Sequence, residues 1–402
     1  MKHPSPRREK AIAEDLAKAL ALHQKGQLAR AELCYRKILT LAPDHFDALH
    51  LLGVIEGQNN NLDESLDMLQ RAVTLRPDNA TVLNNLGNAF GLLMRHEEAL
   101  AAVERSLAIK PDNAKALRNR GTSLRALKRP LEALASFQQA LVLKPDFADA
   151  MVSCAETLLE LHRRKEAIAF FHEALEYGKD VNLIRYALAA LGDTQAPSAA
   201  PQDYVADLFD GYAGHFDAHL IDVLKYHTPD LLVQSLLRAA PATPADIIDL
   251  GCGTGLCGAL LRPLARRLVG VDLSAGMLAK AREKGHYDEL VQGEIAVYLS
   301  GQSQSYDIAI AADVFVYIGD LAEIFSRVRQ ALRPGGLFAF SVEASDGSDF
   351  VLRPSRRYAH SAAYIEHLAA DQGMRSESMV PQVIREDGGG EVQGLLVVMR
   401  MP

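Results

Sequence analysis

Four prolines recur 34 residues apart, at Pro43, Pro77, Pro111 and Pro145, in the contexts LAPDH, LRPDN, IKPDN and LKPDF. A fixed period of that size means a repeated supersecondary unit rather than one closed core. Counting back 24 residues from the last three prolines reaches Gly53, Gly87 and Gly121. Counting back 12 from the first, third and fourth reaches Ala31, Ala99 and Ala133, with Ser65 in the second unit. Within each unit apolar residues recur at helical spacing in two runs, as in NATVLNNLGNAFGLL and HEEALAAVERSLAI. Small residues at fixed points let two helices approach closely, and the proline punctuates the end of the pair.

This pattern resembles the tetratricopeptide repeat, which shares the period and the Gly, Ala and Pro positions. The register places five repeats at 12–45, 46–79, 80–113, 114–147 and 148–181. The last has Ala155 for the glycine and Lys179 for the proline, as expected of a terminal cap. The resemblance implies a concave face that binds a protein or peptide partner. Asn84, Asn85 and Asn88, with Arg118 and Asn119 one repeat later, either grip peptide backbone there or form a solvated helix face. GDTQAPSAAPQD (192–203) then breaks all periodicity, so 182–203 reads as a linker to a domain at 204–402.

Charge divides along the same line. Residues 1–200 carry 26 basic and 25 acidic side chains, and residues 201–402 carry 17 and 26. An acidic second half repels phosphate backbones, so no nucleic-acid partner is expected. The basic N-terminus MKHPSPRREK lacks an apolar core behind it, so neither a signal peptide nor a membrane anchor is expected. Cys34, Cys154, Cys252 and Cys257 match neither a zinc pattern nor a disulfide framework and read as reduced thiols of a cytoplasmic protein.

In the second half strand and helix patterns alternate. Strands are expected at 246–250, 267–272, 289–293, 306–311 and 336–343, with helices at 255–266, 275–285, 294–300, 320–333 and 362–370 between or after them. That alternation signals a parallel sheet with covering helices. Two more strands, near 377–385 and 392–400, are joined by EDGGGE, a turn short enough to force them antiparallel. The first strand runs into DIIDLGCGTGLCG (246–258), in which Gly253, Gly255 and Gly258 spell GxGxxG. The loop follows a strand of a parallel sheet, where ligands bind. Gly251, Gly253 and Gly255 let backbone pass close under a ligand, and Asp272 closes the second strand where a carboxylate can accept two ribose hydroxyls.

Dinucleotide enzymes share those features, but three others point away from them. Asp249 inside the motif suits a cationic ligand better than a pyrophosphate. No YxxxK follows, and no second substrate domain is expected after the last strand. DLGCGTG, VGVDLSAGML, VQGEI, YDIAIAADV and LRPGG, in this order, resemble the class I methyltransferases that use S-adenosylmethionine. The whole chain resembles bacterial proteins that fuse tetratricopeptide repeats to such a domain. The expected architecture is an all-α repeat solenoid followed by an α/β, Rossmann-like, seven-stranded class I methyltransferase domain.

The resemblance implies roles for named residues. Gly251 and Gly253 would face the methionine part of S-adenosylmethionine, Asp249 its amino group, and Asp272 the ribose. Leu273 and Met277 would flank adenine, Glu294 would accept from its amino group, and Ile295 would pack the ring. Ala312 would contact the methionine moiety through its backbone. Tyr204, Phe209, Tyr212 and Phe216 have helical spacing, and Tyr212 is the expected capping ring; the other reading is aromatics packing on a sheet edge. His215 and His219 form HxxxH, which reads as part of this lid helix rather than a metal pair.

The acceptor is less legible. An alcohol or phenol nucleophile needs a base, whereas a carboxylate wants cations. Tyr317 follows the fourth strand, and RPSRRYAHSAAY supplies Arg353, Arg356, Arg357, Tyr358 and His360. His360 is the expected base or orienter, with Tyr317 facing the acceptor; the same stretch also reads as a solvated loop with Ser361 as N-cap. The fourth motif, AADV, argues against methylation of planar amide or base nitrogens, so O-methylation is expected over N-methylation. The remaining reading is an adaptor with a vestigial methyltransferase fold.

Overall fold

The computed structural model describes residues 6–178, 180–213, 216, 227–239, 244–347, 349–387 and 390–402. It divides into two compact units, Met1–Lys179 and Asp180–Pro402.

The first unit is a solenoid of helix pairs. Its pairs are Pro6–Gln24 with Leu28–Leu41, Phe46–Gln58 with Leu62–Leu75, and Ala80–Leu92 with His96–Ile109, then Ala114–Ala126 with Pro130–Leu143, and Ala148–Glu160 with Arg164–Glu176. The fixed small residues set how closely each pair approaches. A Cβ on Gly53, Gly87 or Gly121 would lie 2.9, 2.4 or 2.5 Å from Leu69, Val103 or Phe137 on the partner helix. Ser65, the one departure from alanine, donates its hydroxyl to Gly53 O at 2.6 Å, so the polar atom is satisfied inside the pair. Asn79 and Asn113, each the last residue of its repeat, cap the first helix of the next repeat by accepting from Val82 and Ala116 N–H. Asn119 donates to Asn84 at 3.1 Å, and Asn85 pairs with His50 at 2.8 Å. Those side chains thus link one repeat to the next; Asn88 stays exposed.

The second unit is built on one mixed sheet. Its strands are β1 (Ala245–Leu250), β2 (Ala265–Asp272), β3 (Glu289–Gln292), β4 (Tyr306–Ala311), β5 (Leu332–Ala344), β6 (Phe350–Leu352), β7 (Tyr358–His360), β8 (Arg375–Asp387) and β9 (Gly390–Arg400). β3, β2, β1, β4 and β5 lie side by side in parallel, β9 adds antiparallel to β5, and β8 to β9. These seven are the expected strands. β6 and β7 form a hairpin, with β7 joining the carboxyl end of β5; RPSRRYAH, one reading of which is a solvated loop, supplies its turn and β7. Its strands of three residues are too short to show an alternating pattern.

Where a linker is expected at 182–203, the structure has bonded chain. Residues 181–200 are integral to the second unit, as helix Val181–Ala190 followed by an extended strap. Tyr186 is buried and donates to Arg356 O at 2.7 Å, while Tyr358 donates to Pro197 O at 2.7 Å. Ala199 bridges Ile318, and Ala200 N–H donates to Tyr317 O at 2.9 Å. Pro and Ala break helical periodicity equally in a free linker and in a pinned strap, so composition alone does not separate them.

Candidate functional site

The chain runs β1, β2, β3 outward on one side, then crosses β1 to place β4 on the other. At that reversal the carboxyl ends of β1 and β4 part, and a cavity of about 520 Å³ opens there. Its floor is the loop after β1, with Asp249, Gly251, Cys252, Gly253 and Thr254. Asp272 and Leu273 enter from the end of β2, Met277 from helix Ala275–Lys284, and Glu294 and Ile295 from the end of β3. Ala312, Asp313 and Tyr317 come from the segment after β4. Helix Gln202–Tyr212 closes the mouth with Phe209 and Tyr212, joined by Phe216.

Asp272 is held on both oxygens. Oδ2 accepts from Gly253 N–H at 2.8 Å and Oδ1 from Ser274 N–H at 2.9 Å. Burial raises its pKa, and those two amides pull it back. The carboxylate therefore sits fixed at the wall with lone pairs to spare for a ligand. Gly251 takes φ +68°, and a Cβ there would meet Val314 Cγ2 at 2.5 Å. Any side chain at Gly251 would both strain the turn and push the β4 loop away.

Glu294 lines the cavity, but both its oxygens already accept from its own helix, Ala296 N–H at 2.9 Å and Val297 N–H at 2.7 Å. Its first role is the N-cap of helix Ile295–Ser300. Asp249, 1 % exposed, has its carboxyl pushed up to about 7 by burial, against a hydrogen bond from Tyr287 that lowers it. The mouth is aromatic: Phe209 meets Tyr317 edge to face at 5.5 Å and Tyr212 meets Phe216 at 5.6 Å. Burial raises the Tyr317 phenol, while Arg357, which also lines the cavity, acts in the other direction.

Two of the expected residues are not at the wall. Gly255 caps helix Leu256–Leu261 behind the loop with φ +85° and does not line the cavity. His360 is fully buried on β7, its Nε2 2.9 Å from Gly319 O and its ring stacked on Tyr364. Burial lowers it to about 4, and it lines no part of the cavity. A buried imidazole packed behind the loop cannot reach an acceptor, so the expectation of a base there does not hold. Ser361 does cap the next helix, accepting from Tyr364 N–H at 3.0 Å. His215 and His219 lie outside the described residues, and among those described no group of three metal-binding side chains occurs.

Other residues at the site carry no motif in the sequence. Asp210 on the lid helix accepts from Gly276 N–H at 2.9 Å and from the Ser274 hydroxyl, which fastens the lid to the helix after β2. Arg385, 4 % exposed, bonds Asp313 at 2.8 Å and Glu343, and Glu343 also pairs with Arg353 at 2.9 Å. The only signal in the sequence is an arginine that directly follows the apolar Val383 and Ile384 in the penultimate strand. A register shift between Val383 and Arg385 turns both Ile384 and Arg385 inward, which strict alternation does not anticipate.

Known families match each of the two units in turn. Residues 248–340 match the model of a methyltransferase domain. Residues 16–45, 44–112, 78–146 and 124–191 match models of the tetratricopeptide repeat. The chain joins tetratricopeptide repeats to a methyltransferase domain. The malonyl-[acyl-carrier protein] O-methyltransferase of Yersinia pestis is 34 % identical over 103 residues, 26 % of this chain and 38 % of that protein. The trans-aconitate 2-methyltransferase of Paracidovorax citrulli is 34 % identical over 110 residues, 27 % of this chain and 42 % of that one. This chain therefore spans less than half the length of these two curated relatives. A solved structure of pilF from Pseudomonas aeruginosa is 21 % identical, with a TM-score of 0.40, over 52 % of this chain and 94 % of that one. Among the described residues no helix is long and apolar enough to cross a membrane.

Proposed function

We propose that the methyltransferase domain binds S-adenosylmethionine in this cavity and transfers its methyl group to an oxygen of a small-molecule or protein acceptor. The observation that carries the reading is Asp272, a buried carboxylate fixed by Gly253 and Ser274 amides at the cavity wall. The rest of the wall fits the same ligand. Among the described residues a Cβ on Gly253 would find only Phe216 Cε1, at 4.0 Å, so they leave an open cradle beside Asp272.

Bound there, the ligand supplies a sulfonium methyl that is already electrophilic. Asp272 accepts from the ribose hydroxyls, and Leu273, Met277 and Ile295 flank the adenine. Glu294, engaged as an N-cap, offers its remaining lone pairs to the adenine amino group. Gly251, Gly253 and the Ala312 backbone lie along the methionine part, and Asp249 faces its ammonium. Tyr212, Phe209 and Phe216 cover the mouth and exclude water. Tyr317 and Arg357 then hold the acceptor in line, which supplies the proximity term. The O-methyltransferase named among the relatives supports an oxygen acceptor. The repeats recruit a protein or peptide partner, and the free buried thiols fit a reducing, cytoplasmic setting.

Calorimetry with S-adenosylmethionine tests the first half, and tritiated-methyl labelling of a cell extract, split into protein and small-molecule fractions, the second. Binding with labelling of one fraction is expected. No binding at micromolar protein would leave the repeats as an adaptor carrying a vestigial domain.

A further inference from the structure

Gly255 and Gly258, the glycines that complete the GxGxxG spelling, serve a different neighbour from the ligand. A Cβ on Gly255 would stand 2.9 Å from Tyr287 Cε2, and one on Gly258 would stand 2.6 Å from the same atom. On Gly270, in the middle of β2, it would lie 3.0 Å from Tyr287 Cδ1. Glycines on the loop, the helix behind it and the adjacent strand thus clear one slot, and the Tyr287 ring fills it. The hydroxyl at its tip donates to Asp249 Oδ2 at 2.6 Å. A phenylalanine would fill the slot as well, so packing does not call for the hydroxyl. The buried carboxylate does, because an ionised group out of water needs donors.

We propose that Tyr287 is a positioning residue for methyl-donor binding, its hydroxyl aiming the Asp249 carboxylate at the ammonium of the bound donor. This rests on the reading that the cavity takes S-adenosylmethionine. Among the described residues, the groups that face Asp249 are Tyr287, Asp272 of β2, and the thiols of Cys252 and Cys257. Burial raises both thiols, which keeps them neutral, and Asp272 adds negative charge. None of these described groups is a cation, which leaves the ligand's ammonium as the positive partner this proposal assigns to Asp249. The hydroxyl acts before that arrival, opposing the burial that raises the acid to about 7.

The test is calorimetric binding of S-adenosylmethionine to the full chain between pH 6 and 9, for wild type, Tyr287→Phe, Asp249→Asn and the double variant. Wild-type affinity is expected to fall as pH drops and Asp249 protonates. In Tyr287→Phe the fall begins at higher pH: binding is about tenfold weaker at pH 7 and returns toward parity at pH 9. Asp249→Asn binds weakly without that fall, and adding Tyr287→Phe to it changes nothing further. The ligand's own amine titrates identically throughout and cancels between proteins. A uniform loss in Tyr287→Phe, with no movement of the pH midpoint, means packing alone and overturns the inference while the cavity reading stands. No binding by wild type overturns both. Should Tyr287→Phe fail to fold, Gly258→Ala, which crowds the ring without removing the hydroxyl, is expected to move the midpoint the same way; an unmoved midpoint there overturns the inference.

Discussion

The carbonyl of Ser198 accepts from Gly319 N–H at 2.7 Å, and from the next amide at 2.9 Å, so the strap after the repeats is bonded to the loop that carries Tyr317. Ser198, Ala199 and Ala200 also line the cavity. The boundary of the functional domain therefore lies near residue 180. A fragment of residues 180–402 is expected to fold and bind S-adenosylmethionine. One beginning at residue 204 loses the strap's hydrogen bonds and the buried Tyr186. That costs about 3 kcal/mol, or roughly 6–12 °C in Tm for a domain of this size. Thermal melts of the two fragments check it, and equal Tm values would show the strap to be dispensable.

Asp272→Ala is expected to reduce S-adenosylmethionine affinity at least about a hundredfold. The change removes the acceptor for the ribose and also orphans the Gly253 and Ser274 amides. Circular dichroism should show the fold retained, and micromolar binding surviving the change would sink the assignment of this wall.

Gly251→Ala should destabilise the domain by about 2–3 kcal/mol, since it combines a left-handed φ of +68° with a 2.5 Å clash against Val314. Adding Val314→Ala relieves the clash but not the backbone term, so about half the loss should return in denaturant unfolding.

Arg385→Met leaves Glu343 and Asp313 without their shared cation at the inner end of the cavity. Breaking a buried ion pair costs about 3–5 kcal/mol, and Arg353, still bonded to Glu343, holds the loss toward the lower end of that range. Replacing Glu343 with Gln in the same chain removes one of them and should restore part of the stability. No recovery in that pair would mean the network is held by packing rather than charge.

His360 and Asp249 bias the pH dependence of stability in opposite directions. Burial lowers His360 from 6.5 to about 4, so the unfolded chain binds the extra proton between those values and stability is lost as pH falls through that window. Asp249 is raised from 3.8 to about 7, so the folded chain holds the extra proton and stability is lost as pH rises through it. The imidazole contributes about 3 kcal/mol across its window. His360→Asn should flatten the acid limb relative to wild type, and Asp249→Asn should remove the loss of stability that wild type shows from this group as pH rises toward 7. Urea midpoints at pH 4.5, 6 and 7.5 distinguish them; identical slopes in all three proteins would rule both out.

What the chain by itself determined was whatever is written in spacing. The repeat register follows from local packing of residues along neighbouring helices, so Gly53 and its equivalents fall where the period puts them. The β1 loop, Asp272 at the end of β2, and the antiparallel last pair follow from strand-to-turn chemistry within a few residues. Tertiary structure decided the questions that no local pattern encodes. Whether 192–203 is free or pinned depends on Tyr317, Gly319 and Tyr358, over a hundred residues away. Whether His360 faces the acceptor or the core depends on the side of β7 on which it falls, and a strand of three residues carries too little alternation to tell. Arg385 meets Asp313 and Glu343 only because a register shift in β8 turns it inward. The glycines of the loop looked like one ligand signature and proved to be two devices. Gly251 and Gly253 border the cavity, whereas Gly255 and Gly258 make room for Tyr287, because only the folded chain brings that ring beside them.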